Sequence, residues 1–133
     1  MEFPQYAAAR LGQWYGAGGY RAAAGGRLVA GTSAQSNAQI YLSDGNGQTW
    51  RQQGGARLNG GRRTTKILSL GGTRLLAATG TAAGIYESNN NGNTWHQVVQ
   101  ANELGNASWV WDMARVGKHV YVSTTAPAVW RII

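Results

Sequence analysis

Carboxylates are the side chains of this chain best suited to acid–base chemistry, and the sequence contains only five Asp and Glu residues. Two carboxyl groups held at a suitable separation can act as general acid and general base, as glycoside hydrolysis usually requires. Glu87 follows Ile85 and Tyr86 on a predicted strand, and Asp112 lies in the segment WVWDMARV. Catalysis would need Glu87, Asp112 or Glu103 to converge in one pocket; apart, they are ordinary surface charges. We therefore predict no catalytic residue and no enzymatic activity. The alternative is a glycosidase with a reduced set of catalytic residues.

Metal ligands are equally scarce. The chain has no Cys, and His96 and His119 are its two imidazoles, too few for a zinc site unless carboxylates or a second chain contribute. The segment DGNGQT begins at Asp44 like a calcium-binding loop. However, Thr49 stands where an EF-hand requires Gly, and Gly55 stands where a bidentate Glu is needed. We predict neither a metal site nor a cofactor.

The segment around Asp44 is repeated. SDGNGQTW at 43–50 and SNNNGNTW at 88–95 lie 45 residues apart and keep Ser, Gly, Thr and Trp in register. Short Asn and Asp side chains bond to the backbone of turns, Gly supplies a positive φ, and Trp buries a large area. These residues are therefore assigned to folding rather than to chemistry: Ser43, Asp44, Gly47, Trp50, Ser88, Asn90, Gly92 and Trp95.

The elements that carry these two segments read as short strands. Aligned on the repeated segments, the chain forms three rows, 19–53, 64–98 and 109–133, each with apolar runs separated by Gly turns. Such runs, rich in Val, Ile, Leu and Tyr, are typical of antiparallel strands joined by hairpins. With 20 Gly, 2 Pro and 13% charged residues, the composition also favours strands over helices. The sequence predicts an all-β protein, and a period near 45 with four strands per unit predicts β-propeller blades.

The pattern Ser-x-Asp-x-Gly-x-Thr-Trp, with the preceding strands RLVAGTSAQSNAQIYLSD and LLAATGTAAGIYES, resembles the Asp box, or BNR repeat, of sialidase-like propellers. The resemblance covers most of the chain and implies that each box is a structural turn whose Trp packs between blades. The chain departs from the pattern at Gly45 and Asn90, where the family has Asp. It also lacks an Arg-Ile-Pro-like motif, so the resemblance implies the fold without the catalytic motifs of sialidases.

We predict one domain that contains the equivalent of three propeller blades. The strands of one blade are divided between the two ends of the chain. The third row stops after VWRII, at its third strand, and LGQWYG near the start reads like a fourth strand. The predicted order is a fourth strand in 1–18, blades in 19–53 and 64–98, and three strands in 109–133. Because propellers typically have four to eight blades, we predict a six-bladed homodimer in which Val129–Ile133 pairs with Leu11–Gly16 of the other chain. The alternative is a ring completed by a different protein.

A basic segment supplies the first binding candidates. The chain carries a formal charge of +7, with 12 Lys or Arg against 5 Asp or Glu. Such an excess attracts acidic partners. We expect an acidic protein rather than nucleic acid as the partner, and a solvated loop is the plain alternative. The partner-binding candidates are Arg51, Arg57, Arg62, Arg63 and Lys66.

Aromatic residues of the third row supply the second set of candidates. Trp109 and Trp111 alternate on one strand and face the same side, which we interpret as core between blades rather than a sugar-binding platform. Trp130 and Tyr121 are the glycan-binding candidates of a lectin-like alternative, beside the amide-rich loop at 32–39.

The leading prediction is a non-enzymatic propeller that docks onto protein partners in a larger assembly, such as a virion or a membrane-protein complex. The resemblance to non-catalytic Asp-box propellers, including photosystem assembly factors with arginine patches, supports it. The start MEFPQYAAAR does not read as a secretory signal, and no apolar run reaches the roughly 20 residues of a membrane span. We expect a soluble protein or a component of a large assembly, and the compartment stays open.

Overall fold

The structure, a computed structural model, describes residues 17–22, 24–32, 38–44, 47–58, 63–80 and 84–133. Three antiparallel sheets account for most of these residues, together with two short 3-10 helices at Ala24–Gly26 and Ala101–Leu104. The prediction of an all-β protein is confirmed. The predicted strand at Leu11–Gly16 lies outside the described residues.

The first sheet contains β1 (Ala17–Ala22), β2 (Leu28–Thr32), β3 (Ala38–Ser43) and β4 (Arg51–Leu58), in that spatial order. Each strand pairs with its neighbour in the chain, so the sheet is an up-and-down meander. The strand β4 runs five residues beyond the end predicted for the first row, because its ladder with β3 continues past a register shift to Ala38 and Leu58.

The second sheet repeats this plan with β5 (Arg63–Gly71), β6 (Arg74–Gly80), β7 (Gly84–Ser88) and β8 (His96–Val99). All but the first residue of β6 are buried. Successive side chains of a strand point to opposite faces, so a continuous apolar strand must be covered on both sides. The sequence RLLAATG therefore indicates a sheet in the middle of a stack, and the packing of this sheet agrees with that.

The third sheet contains β9 (Val110–Val116), β10 (His119–Thr124) and β11 (Val129–Arg131). Its spatial order is β11-β10-β9, so β10 is the central strand. A 3-10 turn carrying the buried Leu104 connects the second sheet to the third. Along β10 every second residue is buried and its neighbours are only half-buried, the pattern of a sheet covered on one face.

Two hydrophobic clusters join the three sheets face to face. In the first cluster, Val29 and Ile40 of the first sheet pack with Leu75 and Ala77 of the second. In the second cluster, Leu76 and its neighbours on the same face of the second sheet pack against the third sheet. The residues that the second and third sheets contribute to this cluster are Leu68, Leu76, Ala78, Ile85, Val110, Met113, Val120 and Val122. The second sheet is thus the middle layer. The inter-sheet contacts concentrate on the first strands, where β5 lies beside both β1 and β9.

Within the described residues, neither helix has the length or the apolar character needed to cross a membrane.

Candidate functional site

The two repeated turns share one hydrogen-bond pattern. Oγ of Ser43 accepts the backbone N–H of Gly47 at 3.0 Å, and Oγ of Ser88 accepts that of Gly92 at 2.9 Å. The Trp that ends each turn donates its indole N–H to the carbonyl of the same Gly, at 2.9 Å in the first turn and 3.0 Å in the second. Both Gly residues have a positive φ, +83° and +91°. Ser, Gly and Trp together close each turn.

The second turn has an additional set of bonds centred on Asn90. Its Oδ1 accepts the backbone N–H of Thr94 at 2.9 Å and the hydroxyl of Ser88 at 3.0 Å, while its Nδ2 donates to Oγ1 of Thr94 at 2.7 Å. An amide side chain can accept and donate at once, which suits this position. The corresponding residue of the first turn, Gly45, lies outside the described residues.

Asp44 of the first turn makes an ion pair. Its Oδ1 lies 2.7 Å from Nε of Arg27, and Oδ2 lies 3.6 Å from a guanidinium nitrogen of Arg51. The hydrogen bond from Arg27 is the main reason that the pKa of Asp44 is lowered from its ordinary value of 3.8. The same guanidinium reaches the second turn, where it donates to the carbonyl of Asn91 at 3.0 Å and to Oδ1 of Asn93 at 3.2 Å. Arg27 therefore connects the two turns across two sheets.

Arg27 was not among the residues singled out from the sequence, although a signal for it exists. Arg27 and Arg74 each precede the first Leu of a strand that follows a Gly pair. The two leucines have the same register, since Leu28 lies opposite Ser43 and Leu75 lies opposite Ser88. Arg74 likewise binds a carboxylate, with Nη2 at 2.6 Å from Oε2 of Glu87. An Arg repeated at one position of two rows was the pattern that could have predicted this pairing.

An aromatic and basic surface forms where the second and third sheets meet. The rings of Trp109 and Trp111 stack with centroids 5.5 Å apart and planes 14° from parallel. The guanidinium carbon of Arg63 lies 5.3 Å from the Trp109 ring centroid, a cation–π contact. Close by along β9, Asp112 is bound by Nζ of Lys66 at 3.2 Å. We call Arg63, Lys66, Trp109 and Trp111 the aromatic–basic surface.

The position of Trp109 depends on a glycine. Its backbone bridges Gly80 at the end of β6, and a Cβ placed on Gly80 would overlap the Trp109 ring. The indole thus lies on bare backbone at the end of the second sheet. Trp111, stacked on it, is 56% exposed. The interpretation of this pair as core between sheets is wrong for Trp111, which presents much of its ring to solvent.

The predicted basic segment is divided by the fold. Arg51 lies at the start of β4, beside Asp44, whereas Arg63 and Lys66 lie on β5. Arg57 belongs to β4, but its side chain, like all of Arg62, lies outside what the structure describes. The described parts of the segment are therefore two strands rather than one loop. Among its described side chains, Arg63 lies over Trp109, and Lys66 reaches Asp112, the residue after Trp111.

An open groove of about 420 Å³ lies beside the first turn. Its charged side chains, Asp44 and Arg51, already face each other at 3.6 Å. The lining residues are Leu42, Asp44, Thr49, Trp50 and Arg51.

The three carboxylates considered for catalysis lie on different elements and bind different partners. Glu87 on β7 pairs with Arg74 and lies 3.7 Å from Nε2 of His96. Glu103 accepts the backbone N–H of Gln100 at 3.0 Å, as part of a capping box. Asp112 is bound by a Lys on the neighbouring sheet, as described above. No hydrogen bond or ion pair joins these carboxylates, and no group of three His, Cys, Asp or Glu suited to a metal ion occurs in the described part of the chain.

The glycan-binding candidates occupy opposite faces of the third sheet. Trp130 of β11 packs against the core between the second and third sheets, and its indole nitrogen is buried. Tyr121 of β10 is half-buried on the other face, with its ring edge-on to His119 at 6.4 Å. The fold does not bring Trp130 and Tyr121 together as one platform.

Comparison with known proteins finds no match, either to a protein-family model or among curated protein sequences.

Proposed function

We propose that this chain is part of a β-propeller and acts as a non-enzymatic scaffold that docks onto an acidic protein partner. The exposed Trp111, stacked on Trp109 beneath Arg63, is the observation that carries the docking proposal. The boxes are its structural turns, as the resemblance to Asp-box propellers implies.

The arrangement of the sheets supports the propeller. Two four-stranded meanders and one three-stranded meander are stacked face to face, with the first strands β1, β5 and β9 side by side. In a propeller the blades converge at their innermost strands around a central channel. Three such units are fewer than a ring contains, so the ring would be completed by a second copy, giving six blades, or by another protein.

The composition of the aromatic–basic surface supports protein docking. Trp, Tyr and Arg are enriched among the residues that contribute most to binding between proteins. An indole that is half exposed leaves a large apolar area in contact with solvent until a partner covers it. Arg63 adds positive charge to this surface, where Lys66 is paired with Asp112, and the whole chain carries +7. Positive potential of this kind steers an acidic partner and selects against a basic one.

The proposal is tested with a fluorescent peptide of alternating Glu and Leu residues, and a Lys–Leu peptide of equal length as the reversed-charge probe. Fluorescence anisotropy should show binding of the acidic peptide only. Trp111→Ala and Arg63→Gln should each weaken it about tenfold, or about 1.4 kcal/mol, a loss expected of the few central residues that carry most of the binding energy of an interface.

Lys118→Gln is the matched control, since it removes one positive charge at the exposed β9–β10 turn, away from the tryptophans. Equal weakening by Lys118→Gln and Arg63→Gln would reduce the effect to net charge and contradict a docking surface. Binding unaffected by Trp111→Ala would also contradict it.

A lectin-like module is a second candidate, favoured by the same exposed indole. The apolar face of a sugar ring stacks on exposed Trp side chains, and the Lys66–Asp112 pair beside Trp111 offers donors and acceptors for hydroxyl groups. A glycan array with wild-type protein and the Trp111→Ala variant distinguishes the candidates. Glycan binding that disappears in the variant, without acidic-peptide binding in the wild type, would favour the lectin.

A further inference from the structure

The third sheet has one packed face and one exposed face. Val120, Val122 and Trp130 pack against the second sheet. On the opposite face Val116 is 63% exposed and Val129 is 72% exposed. In the described part of the chain β11 pairs only with β10, so this sheet has three strands where the other two have four. Within the described ranges, the third sheet therefore has one exposed face, and no strand pairs with the outer edge of β11.

The second sheet shows what such a face packs against. Its residues Leu76, Ala78 and Ile85 pack onto the third sheet. Their equivalents in the third sheet are Tyr121, Ser123 and Val129. This follows from aligning the segment RLLAAT with HVYVST and the segment GIYES with AVWRI. The strand registers agree, because Leu76 lies opposite Leu68 as Tyr121 lies opposite Ala114. The exposed face of the third sheet is therefore the repeat equivalent of a face that is covered by a neighbouring sheet.

The complementary face is present on the first sheet. The second sheet uses Leu75, Ala77 and Tyr86 to pack onto the first. The aligned residues of the first sheet are Leu28, Ala30 and Tyr41, which point away from the second sheet. Leu28 and Tyr41 are half-buried, whereas Ala30 is fully buried. The outward faces of the first and third sheets thus correspond to the two halves of a contact that the chain already makes internally.

We infer that a second copy of this chain covers the third sheet with its first sheet, and that the reciprocal contact forms at the same time. This inference rests on the propeller arrangement proposed above. A two-fold dimer covers the outward faces of the first and third sheets of both chains with two identical contacts, as a closed assembly requires.

Light scattering at several protein concentrations and salt concentrations tests the inference. The wild type should have twice the chain mass of 14.2 kDa, and salt should not dissociate it, because the contact is apolar and both copies carry the same charge. Val129→Asp and Tyr41→Asp should each raise the dimer dissociation constant roughly 100-fold or more, about tenfold for each of the two contacts. Val98→Asp, on β8 of the middle sheet, is the matched control and should leave the mass unchanged.

Mixing the two variants sharpens the test. A dimer of one Val129→Asp chain and one Tyr41→Asp chain places both substitutions in one contact and leaves the other contact native. Because one Asp already disrupts a contact, a second substitution in that same contact should add little, and the mixture should dimerise about tenfold more tightly than either variant alone. Loss of dimers in Val129→Asp but not in Tyr41→Asp would mean that third sheets face each other and would overturn the inference.

Amide hydrogen exchange of the wild type provides a readout that needs no variant. Exchange at Val129–Arg131 should slow at concentrations where the dimer forms, and exchange on β8 should not change. A wild type that is monomeric at all concentrations would overturn the second copy as partner. If the same monomer binds the acidic peptide, the docking proposal holds without the dimer. Failure of the dimer inference is therefore distinguishable from failure of the proposed function.

Discussion

The two repeated turns have the same backbone pattern but different surroundings. In both, a buried Ser accepts an N–H from Gly, and Trp donates to the carbonyl of that Gly. The second turn lies against the first sheet: a Cβ on Gly92 would lie 3.1 Å from Cδ2 of Leu42, and Trp95 packs against the same core. The first turn has more space, since a Cβ on Gly47 would lie 3.5 Å from Cδ1 of Leu28.

The polar groups of the two turns differ as well. Asn90 bonds within its own turn, to Thr94 and Ser88. Asp44 bonds outward, to Arg27, which also reaches Asn91 and Asn93. The two turns therefore repeat one local hydrogen-bond pattern but use a polar side chain outside that pattern differently. Asn90 stabilises its own turn, whereas Asp44 connects its turn to the next sheet.

The largest difference between the turns is expected from Gly92→Ala and Gly47→Ala. Each substitution places a side chain at a positive φ, which lowers the free energy of unfolding by about 1–3 kcal/mol. Gly92→Ala also crowds the side chain of Leu42. Urea denaturation should therefore show a loss of about 3 kcal/mol for Gly92→Ala and about 2 kcal/mol for Gly47→Ala. Gly117→Ala, at φ +61° with no atom near its Cβ, is the control for φ alone. Equal losses at Gly92 and Gly117 would show that the neighbouring sheet gives way easily.

A smaller effect is expected from removing the bonds that distinguish the second turn. Asn90→Gly should lower the free energy of unfolding by about 1–2 kcal/mol, because the N–H of Thr94 and the hydroxyl of Ser88 lose their acceptor. Asn90→Asp keeps that acceptor and should cost less than half as much. Chemical denaturation of both variants measures the difference, and equal losses would mean that the Nδ2 bond to Thr94 matters most.

The smallest effect is expected at Asp44. Because Arg27 lowers the pKa of Asp44 below the 3.8 of the unfolded chain, its contribution is present above about pH 4 and is lost as the pH falls through the lowered value. The carboxylate is 54% exposed, so Asp44→Asn should cost at most about 0.5 kcal/mol at neutral pH. Denaturation at several pH values should show wild type and variant converging in acid. A difference that grows as the pH falls would contradict this account.

Much of the fold could be predicted from the sequence, and the errors have local physical causes. Alternation and Gly punctuation predicted antiparallel strands in all three rows. The first row was predicted to end at residue 53, whereas β4 continues to Leu58 because its ladder with β3 resumes beyond a register shift. Trp111 was assigned to core because alternation tells which side a residue faces, but not whether another sheet lies there.

The candidate site was less predictable. The basic segment was visible as a run of cations, but its division between β4 and β5 depends on where each strand begins. The stacking of Trp111 and Trp109 beneath Arg63 depends on the meeting of two sheets at Gly80. None of these contacts is a property of a single strand.

The sequence by itself determined the short-range features of this protein: antiparallel strands, the two Ser–Gly–Trp turns, and a middle strand that is apolar on both faces. Each depends on residues a few positions apart, where backbone geometry permits few alternatives. The tertiary structure decided which side chains meet across sheets. Arg27 and Asn91, 64 residues apart, are hydrogen-bonded, and Trp111 is left exposed beside Arg63. Such contacts depend on how the faces of neighbouring sheets pack together, which the residue pattern along a single strand does not determine.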